Sequence, residues 1–243
     1  MRRLVQSLLR PLGLCLTRLQ NAESQDYGVS VLFATLRRFG FSPRHILDVG
    51  ANHGNWTRTA LRYFPDARCT LLEPQDHLKI HIQDLIEAGY KLEWVNVGAS
   101  DQSCQLPFHI SERDDSSTFN SSGEGSPVSS QVVEVVSLDD LLVSRHLPIP
   151  ELVKIDAEGF DLKVLQGARS LLGKTEVILV EASVCCPYEN SVAKLVEMMN
   201  GHGYRLLDIT ELNRSPKHGV LWLTELAFLR NSSTLIAAAS SYE

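Results

Sequence analysis

The sequence predicts an α/β fold whose mostly parallel sheet is covered by helices on both faces. Three observations point to it. Short apolar runs without amphipathic alternation recur along the chain, as in strands buried on both faces. Segments of helical pattern separate them, several closed by a glycine or a proline. A glycine-bearing turn, LDVGANHG at 47–54, directly follows the first run. Open α/β sheets bind ligands at strand-to-helix junctions of this kind.

The elements read in order as follows. Residues 27–40 suit a helix closed by Gly40, HILDV (45–49) is a buried strand, and 54–64 is a helix stopped by Pro65. ARCTLLE (67–73) is a second strand, 76–88 a helix closed by Gly89, and LEWVNVG (92–98) a third strand. The middle departs from this rhythm. CQLPFHI (104–110) and QVVEVVSL (131–138) read as strands around SSTFNSSGEGSPVSS (116–130), whose composition marks a loop. A loop of that length is expected to be a lid, a binding loop or disordered. In SLDDLL, Ser137 or Asp139 is expected to cap the following helix. The alternation resumes with LVKIDA (152–157), a helix over 161–172, EVILVEA (176–182) and a helix over 190–200. YRLLDIT (204–210) and ELAFLR (225–230) are the last strands, with ELNRSPKHGVLWL (211–223) as an extra segment between them. Residues 27–231 are therefore expected to form one domain, preceded by segment 1–26 and followed by a tail, 232–243.

The chain has 243 residues and a formal net charge of −6, so no nucleic-acid footprint is expected. Five cysteines with irregular spacing and no CxxC pair argue against a disulfide framework and a zinc site. They favour a reducing, cytoplasmic setting. The pair Cys185–Cys186 is expected simply to pack. The first twenty residues are too short and too charged to span a membrane. Leu4, Leu8, Leu12, Leu16 and Leu19 recur near helical spacing, among Arg2, Arg3, Arg10 and Arg18. An amphipathic helix is expected there, packed on the protein or a partner or lying on a membrane surface.

The glycine turn points to a ligand. Gly50 can take backbone conformations closed to other residues and leaves room for close approach. Gly54 opens the next helix, where free amides attract an anion. Glu73, 25 residues after Asp48, ends the second strand, where a carboxylate can accept hydrogen bonds from ribose hydroxyls. A dinucleotide is disfavoured, because Asn52 and Asn55 stand where its fingerprint needs glycines. A ribose joined to a smaller anionic end fits better, and S-adenosyl-L-methionine has both.

Here the sequence resembles a known family. LDVGANHGNWT, LLEP, VNVGASD, SST (116–118), VVSLDDLL and VKIDAEGFDLKVLQGARSLL occur in the order seen in the FkbM family of S-adenosylmethionine-dependent O-methyltransferases. The resemblance covers more than half the chain. It implies a Rossmann-like class I methyltransferase fold: a seven-stranded, mostly parallel sheet with a strand-and-loop insertion between strands 3 and 4. It also implies that Asp48, Gly50, Asn52 and Gly54 form the cofactor turn and that Glu73 binds ribose. Ser100 and Asp101 would end the third strand beside the adenine. Asp156 would end the fourth beside the transferable methyl, and Ser116 and Ser117 would lie near the acceptor.

Methyl transfer to a hydroxyl needs alignment and a general base. Asp156 and Glu158 are the candidates for the base. The plainer roles are cofactor contact for Asp156 and a helix cap for Glu158. Glu181 could join them around a divalent cation, but no metal is assigned. His53 and His109 are weaker candidates for the base. The expected acceptor is a small-molecule or glycan hydroxyl. The rival to an enzyme is a non-catalytic binding or assembly protein of the same fold. Residues 211–223, with Trp222, are a segment that could line the acceptor pocket.

Overall fold

The computed structural model describes residues 27–110, 129–185, 188–235 and 237. The N-terminal segment, Ser116, Ser117, Cys186 and most of the tail lie outside the described residues. The chain runs through α1 (Tyr27–Arg38), β1 (His45–Val49), α2 (Asn55–Tyr63) and β2 (Arg68–Leu72). A 3-10 helix (Asp76–Ile82) then leads into α3 (Gln83–Glu87) and β3 (Leu92–Val95). Next come β4 (Gly98–Ala99), β5 (Cys104–Ile110), β6 (Ser129–Val136), α4 (Leu138–Ser144) and β7 (Leu152–Ile155). The last elements are α5 (Asp161–Gln166), β8 (Val177–Ser183), α6 (Val192–Gly201), β9 (Tyr204–Arg214) and β10 (Leu221–Arg230).

Seven strands make one sheet in the order β3-β2-β1-β7-β8-β10-β9. The pairs from β3 to β8 are all parallel. β10 runs antiparallel to both β8 and β9. β4, β5 and β6 form a second, three-stranded sheet, which is the insertion between the third and fourth strands of the main one. The predicted fold class is the one observed. Strand order reverses between β1 and β7, which makes their carboxyl ends the crevice where such sheets bind ligands.

Alternate residues of each strand feed two cores. Ile46, Leu71, Leu152 and Leu179 pack under α1 and α2, while Leu47, Val49, Val153 and Val180 pack under α4, α5 and α6. Phe33 of α1 meets Trp56 and Phe64 edge-on, each with ring centroids 5.4 Å apart. Such pairs contribute about 0.5–1.5 kcal/mol beyond burial. α1 lies directly on β9, and a Cβ at Gly28 would sit 1.9 Å from the Thr210 carbonyl oxygen.

Local chemistry moves several boundaries from their predicted positions. The third strand stops at Val95 because the Asn96 side-chain amide donates to the Glu73 and Pro74 carbonyls, each at 3.0 Å. Gly98 and Ala99 then pair with β6 instead. The helix expected over 161–172 ends at Gln166. Of the two proposed caps, Ser137 is the one used, its Oγ accepting from the Asp140 amide at 3.1 Å. Asp139 instead accepts from the Arg169 and Ser170 amides and so ties α4 to the turn after α5. Residues 211–223 are not a separate segment. β9 and β10 continue pairing to Arg214 and Leu221, and a turn at 215–219 closes the hairpin.

Candidate active site

The glycine turn is shaped by its protein neighbours. Gly50 has φ +74, and a Cβ there would meet the Asp156 carbonyl oxygen at 1.9 Å. The close approach that glycine permits is therefore to the end of β7, drawn in by the Asp156 amide donating to the Val49 carbonyl. Gly54, at φ +73, makes room for the Ile82 side chain, which a Cβ would approach to 2.4 Å. Asn52 is left-handed at φ +46, and its amide donates to Glu73 Oε2 at 2.9 Å. Glu73 Oε1 accepts from the Gln75 amide at 3.0 Å. Glu73 is only 4% exposed, and burial pushes its carboxyl above the usual range despite these bonds. Gln75 Nε2 also donates to Oε1 at 3.4 Å, so Oε2, with one amide, keeps the freer acceptor capacity.

A buried charge cluster lies beneath this turn. Asp48 is fully buried and faces Lys154 across the β1–β7 pairing. Its Oδ2 accepts from Thr57 Oγ1 at 2.5 Å, and its Oδ1 lies 4.0 Å from Lys154 Nζ. Lys154, 8% exposed, donates to Asp156 Oδ2 at 2.9 Å. Burial opposes this ammonium, but Asp156, Asp48 and Glu225 outweigh it and hold the group above the ordinary lysine range. Burial pushes Asp48 up, with Lys154 acting against that shift. Burial also raises Glu225 to about 7, again opposed by Lys154.

Past Asp156 the chain makes a strained turn, with Glu158 at φ +48 and Gly159 at φ +91. The side chain that pins it is Asp161, which accepts from the Ala157 and Gly159 amides at 2.9 and 3.2 Å. Asn190 Nδ2 donates to the same carboxylate at 2.8 Å. Asp161 thus pins the turn rather than capping α5, whose N-cap residue, Phe160, makes no side-chain cap bond. Glu181, at the end of β8, has a buried Oε2 without a hydrogen-bond partner. Burial, followed by Asp156, Glu158, Asp161 and Glu211, pushes its carboxyl well above the usual range.

These elements surround a cavity of about 650 Å³ at the switch point, within the ~300–1,000 Å³ typical of small-molecule sites. Gly50, Asn52, His53, Glu73 and Gln75 line one half, with Val97, Gly98 and Ala99 beside them. Asp156, Glu158, Glu181, Tyr188, Glu211 and Trp222 line the other. Gly50, Asn52, Glu73, Asp156 and Glu158, which the sequence singled out, line this one cavity. Asp48 and Gly54 do not line the cavity and act from beneath the turn. Ser100 and Asp101 are displaced as well. The third strand has already ended, Ser100 is buried with its amide on the Val136 carbonyl, and its Oγ donates to Asp101. His109 does not line the cavity, but its neighbour Phe108 does. Among the described residues no group of three or more His, Cys, Asp or Glu is arranged to hold a metal ion.

Sequence reasoning missed Lys154, although a lysine inside the apolar run LVKIDA was a signal. It also missed Gln75 and Glu211. Within the described residues no helix is long and apolar enough to cross a membrane.

Residues 48–206 match the methyltransferase FkbM domain. Over 84 residues the chain is 33% identical to the hexuronic acid methyltransferase AglP of Haloferax volcanii, covering 35% of this chain and 34% of that protein. Among solved structures it resembles cofactor-bound Rv0187 from MTB, at 19% identity and TM-score 0.50, over 95% of this chain and 90% of that one. It also resembles WbdD, crystallised with the kinase inhibitor LY294002, at 11% identity and TM-score 0.53, over 86% of this chain and 42% of that one. At such identities these two structures show a shared fold. The chain spans about a third of the length of the curated relative it matches. Because the domain match spans more than half its own length, the chain belongs to the FkbM methyltransferase family.

Proposed function

We propose that this chain is an S-adenosylmethionine-dependent methyltransferase and that it methylates a hydroxyl oxygen of a sugar, glycan or related natural product. The observation that carries the reading is the cavity astride the switch point, with a nucleoside-type cradle on one half and carboxylates on the other. The residues present fit the cofactor. The turn at 50–53 offers backbone, Glu73 offers a buried carboxylate at the end of β2, and the volume suits a small molecule beside a second ligand. S-adenosylmethionine supplies a methyl group on a sulfonium, a good leaving group.

The chain's own residues then have distinct tasks. Glu73 accepts hydrogen bonds from the ribose hydroxyls, and Gly50 and Asn52 shape the wall beside it. Asp156 or Glu158 accepts the proton of the acceptor hydroxyl, with Lys154 fixing the Asp156 carboxylate for either base or cofactor contact. Trp222 and Tyr188 offer flat apolar surfaces beside these polar groups. The relative named for hexuronic acid supports a sugar acceptor.

The test is incubation of the full chain with a methyl-labelled donor and a panel of hydroxylated sugars and glycans. The expected product is a methyl ether, stable to mild alkali. Label released by alkali, as from a methyl ester, or label found on nitrogen would refute oxygen-ether transfer.

A further inference from the structure

The acceptor half of the cavity is crossed by a row of carboxylates that strand register places side by side. Glu225 pairs with Glu181 across β10–β8 and with Glu211 across β10–β9. Residues directly opposite in an antiparallel pair present their side chains on one face. Ile155 of β7 pairs with Val180, so Asp156 comes level with Glu181. All four acids line the cavity. The lysine in their midst, Lys154, is already engaged with Asp156 and Asp48. His53 stands across the cavity on the cofactor turn.

We infer that this row selects a hydroxyl acceptor that also carries an amino group, and rejects one that carries a carboxylate. The inference rests on the sugar-acceptor reading and narrows it.

Like charges at this spacing cannot all be ionised at once. Glu181 faces Asp156 from the end of β7, Glu158 from the turn, Asp161 from α5 and Glu211 from β9. Glu225 faces Lys154, Glu211 and Asp156. Burial first, and then these acidic neighbours, make Glu181 and Glu225 hold their protons more tightly than ordinary carboxylates, Glu225 to about 7. An ammonium entering beside Glu181 Oε2 releases them and gains charged partners. A carboxylate entering there has to take up a further proton or lie against existing negative charge. This separates the chain from the relative named for an acidic sugar, which it matches over only 84 residues.

The test uses calorimetry on the full chain and has two arms. In the first, sinefungin, which carries a cationic amine where the transferable methyl would lie, is compared with S-adenosylhomocysteine. The row should favour sinefungin at least tenfold. Equal affinity means the field is absent and overturns the inference. In the second, the protein saturated with S-adenosylhomocysteine is titrated with methyl glycosides of glucosamine, glucose and glucuronic acid. The expected order is amine, neutral, acid, with at least a tenfold gap between the ends. Amine binding should release protons, read as a heat that varies with buffer ionisation, and Glu211→Gln should narrow the gap. Glucuronoside binding as tight as that of the amine overturns the inference and leaves the sugar reading standing. A gap abolished by added magnesium shows a row that serves a metal, which also overturns it. If none of the three binds while sinefungin keeps its advantage, the sugar reading falls and takes this inference with it.

Discussion

Replacing Lys154 with methionine should remove the buried ammonium while keeping most of the side chain's length. In the native chain Nζ lies 2.9 Å from Asp156 Oδ2 and 4.0 Å from Asp48 Oδ1. Asp156 sits at the cavity edge and can turn toward water. Asp48 cannot, since it is fully buried and its Oδ1 has no hydrogen-bond partner. Breaking a buried pair by removing one partner costs about 3–5 kcal/mol. At about 2–4 °C per kcal/mol for a domain of this size, the melting temperature should fall by roughly 6–20 °C. The sign of the pH dependence follows from linkage. Without the lysine, Asp48 in the folded state holds its proton more tightly than in the unfolded state, so the penalty is full at high pH and shrinks as pH falls. Thermal unfolding from pH 8 to pH 5 reads this directly. Lys154→Met with Asp48→Asn should recover most of the loss, because no buried charge is then left alone and Thr57 keeps an acceptor. A melting temperature unchanged by Lys154→Met, a deficit that grows on acidification, or a double variant no better than the single would refute the argument.

Three further outcomes follow from the same geometry. Gly50→Ala should lose roughly 2–5 kcal/mol by denaturant unfolding, from the left-handed backbone and from crowding against the Asp156 carbonyl. Stability within about 0.5 kcal/mol of the parent would contradict that close approach. Glu225 is raised from 4.5 to about 7, so its contribution to stability should decline as pH rises from about 4.5 to 7. At about 1.4 kcal/mol per unit the decline is about 3 kcal/mol. Glu225→Gln, which keeps an acceptor for Thr210, should flatten that slope, and a slope unchanged in the variant would assign it elsewhere. Glu73→Ala should weaken S-adenosylhomocysteine binding by about tenfold or more while the chain stays folded, since hydrogen bonds to a charged group contribute about 1.5–3 kcal/mol. Unaltered affinity would remove the ribose assignment.

What the sequence made legible was the part written in local pattern. Buried parallel strands appear as plain apolar runs, and HILDV, ARCTLLE and EVILVEA could hardly be read otherwise. Glycines with enforced positive φ, such as Gly50 and Gly54, marked the turn. Contacts between distant segments were not legible. Nothing in LEWVNVG says that Asn96 will turn its amide back onto Glu73 and Pro74 and end the strand early. The chain then follows β6, so Val97, Gly98 and Ala99 line the cavity while Ser100 and Asp101 do not. The pinning of the turn after β7 also has a non-local part, because Asn190, arriving from beyond β8, donates to the same Asp161 carboxylate.

The antiparallel strand β10 explains why the two halves of the site differ. On the β1–β2 side every strand enters the crevice by its carboxyl end, so the crevice is built from strand-to-helix turns such as 50–54 and 73–76. These present backbone and a few fixed carboxylates, which suits an invariant nucleoside. On the other side β10 enters by its amino end, and the hairpin joining it to β9 projects past the sheet over the same crevice. A hairpin can lengthen or change its side chains without disturbing the parallel core, because its tip is closed by bonds within itself: Ser215 with Val220, and Gly219 with Ser215. Substitutions at Asn213 or Trp222 should therefore alter acceptor choice while leaving cofactor affinity and melting temperature nearly unchanged. Substitutions at Glu73 or Gly50 should do the reverse. If Trp222→Ala destabilised the fold as much as Gly50→Ala, the hairpin would be a structural brace, and this division between the halves would not hold.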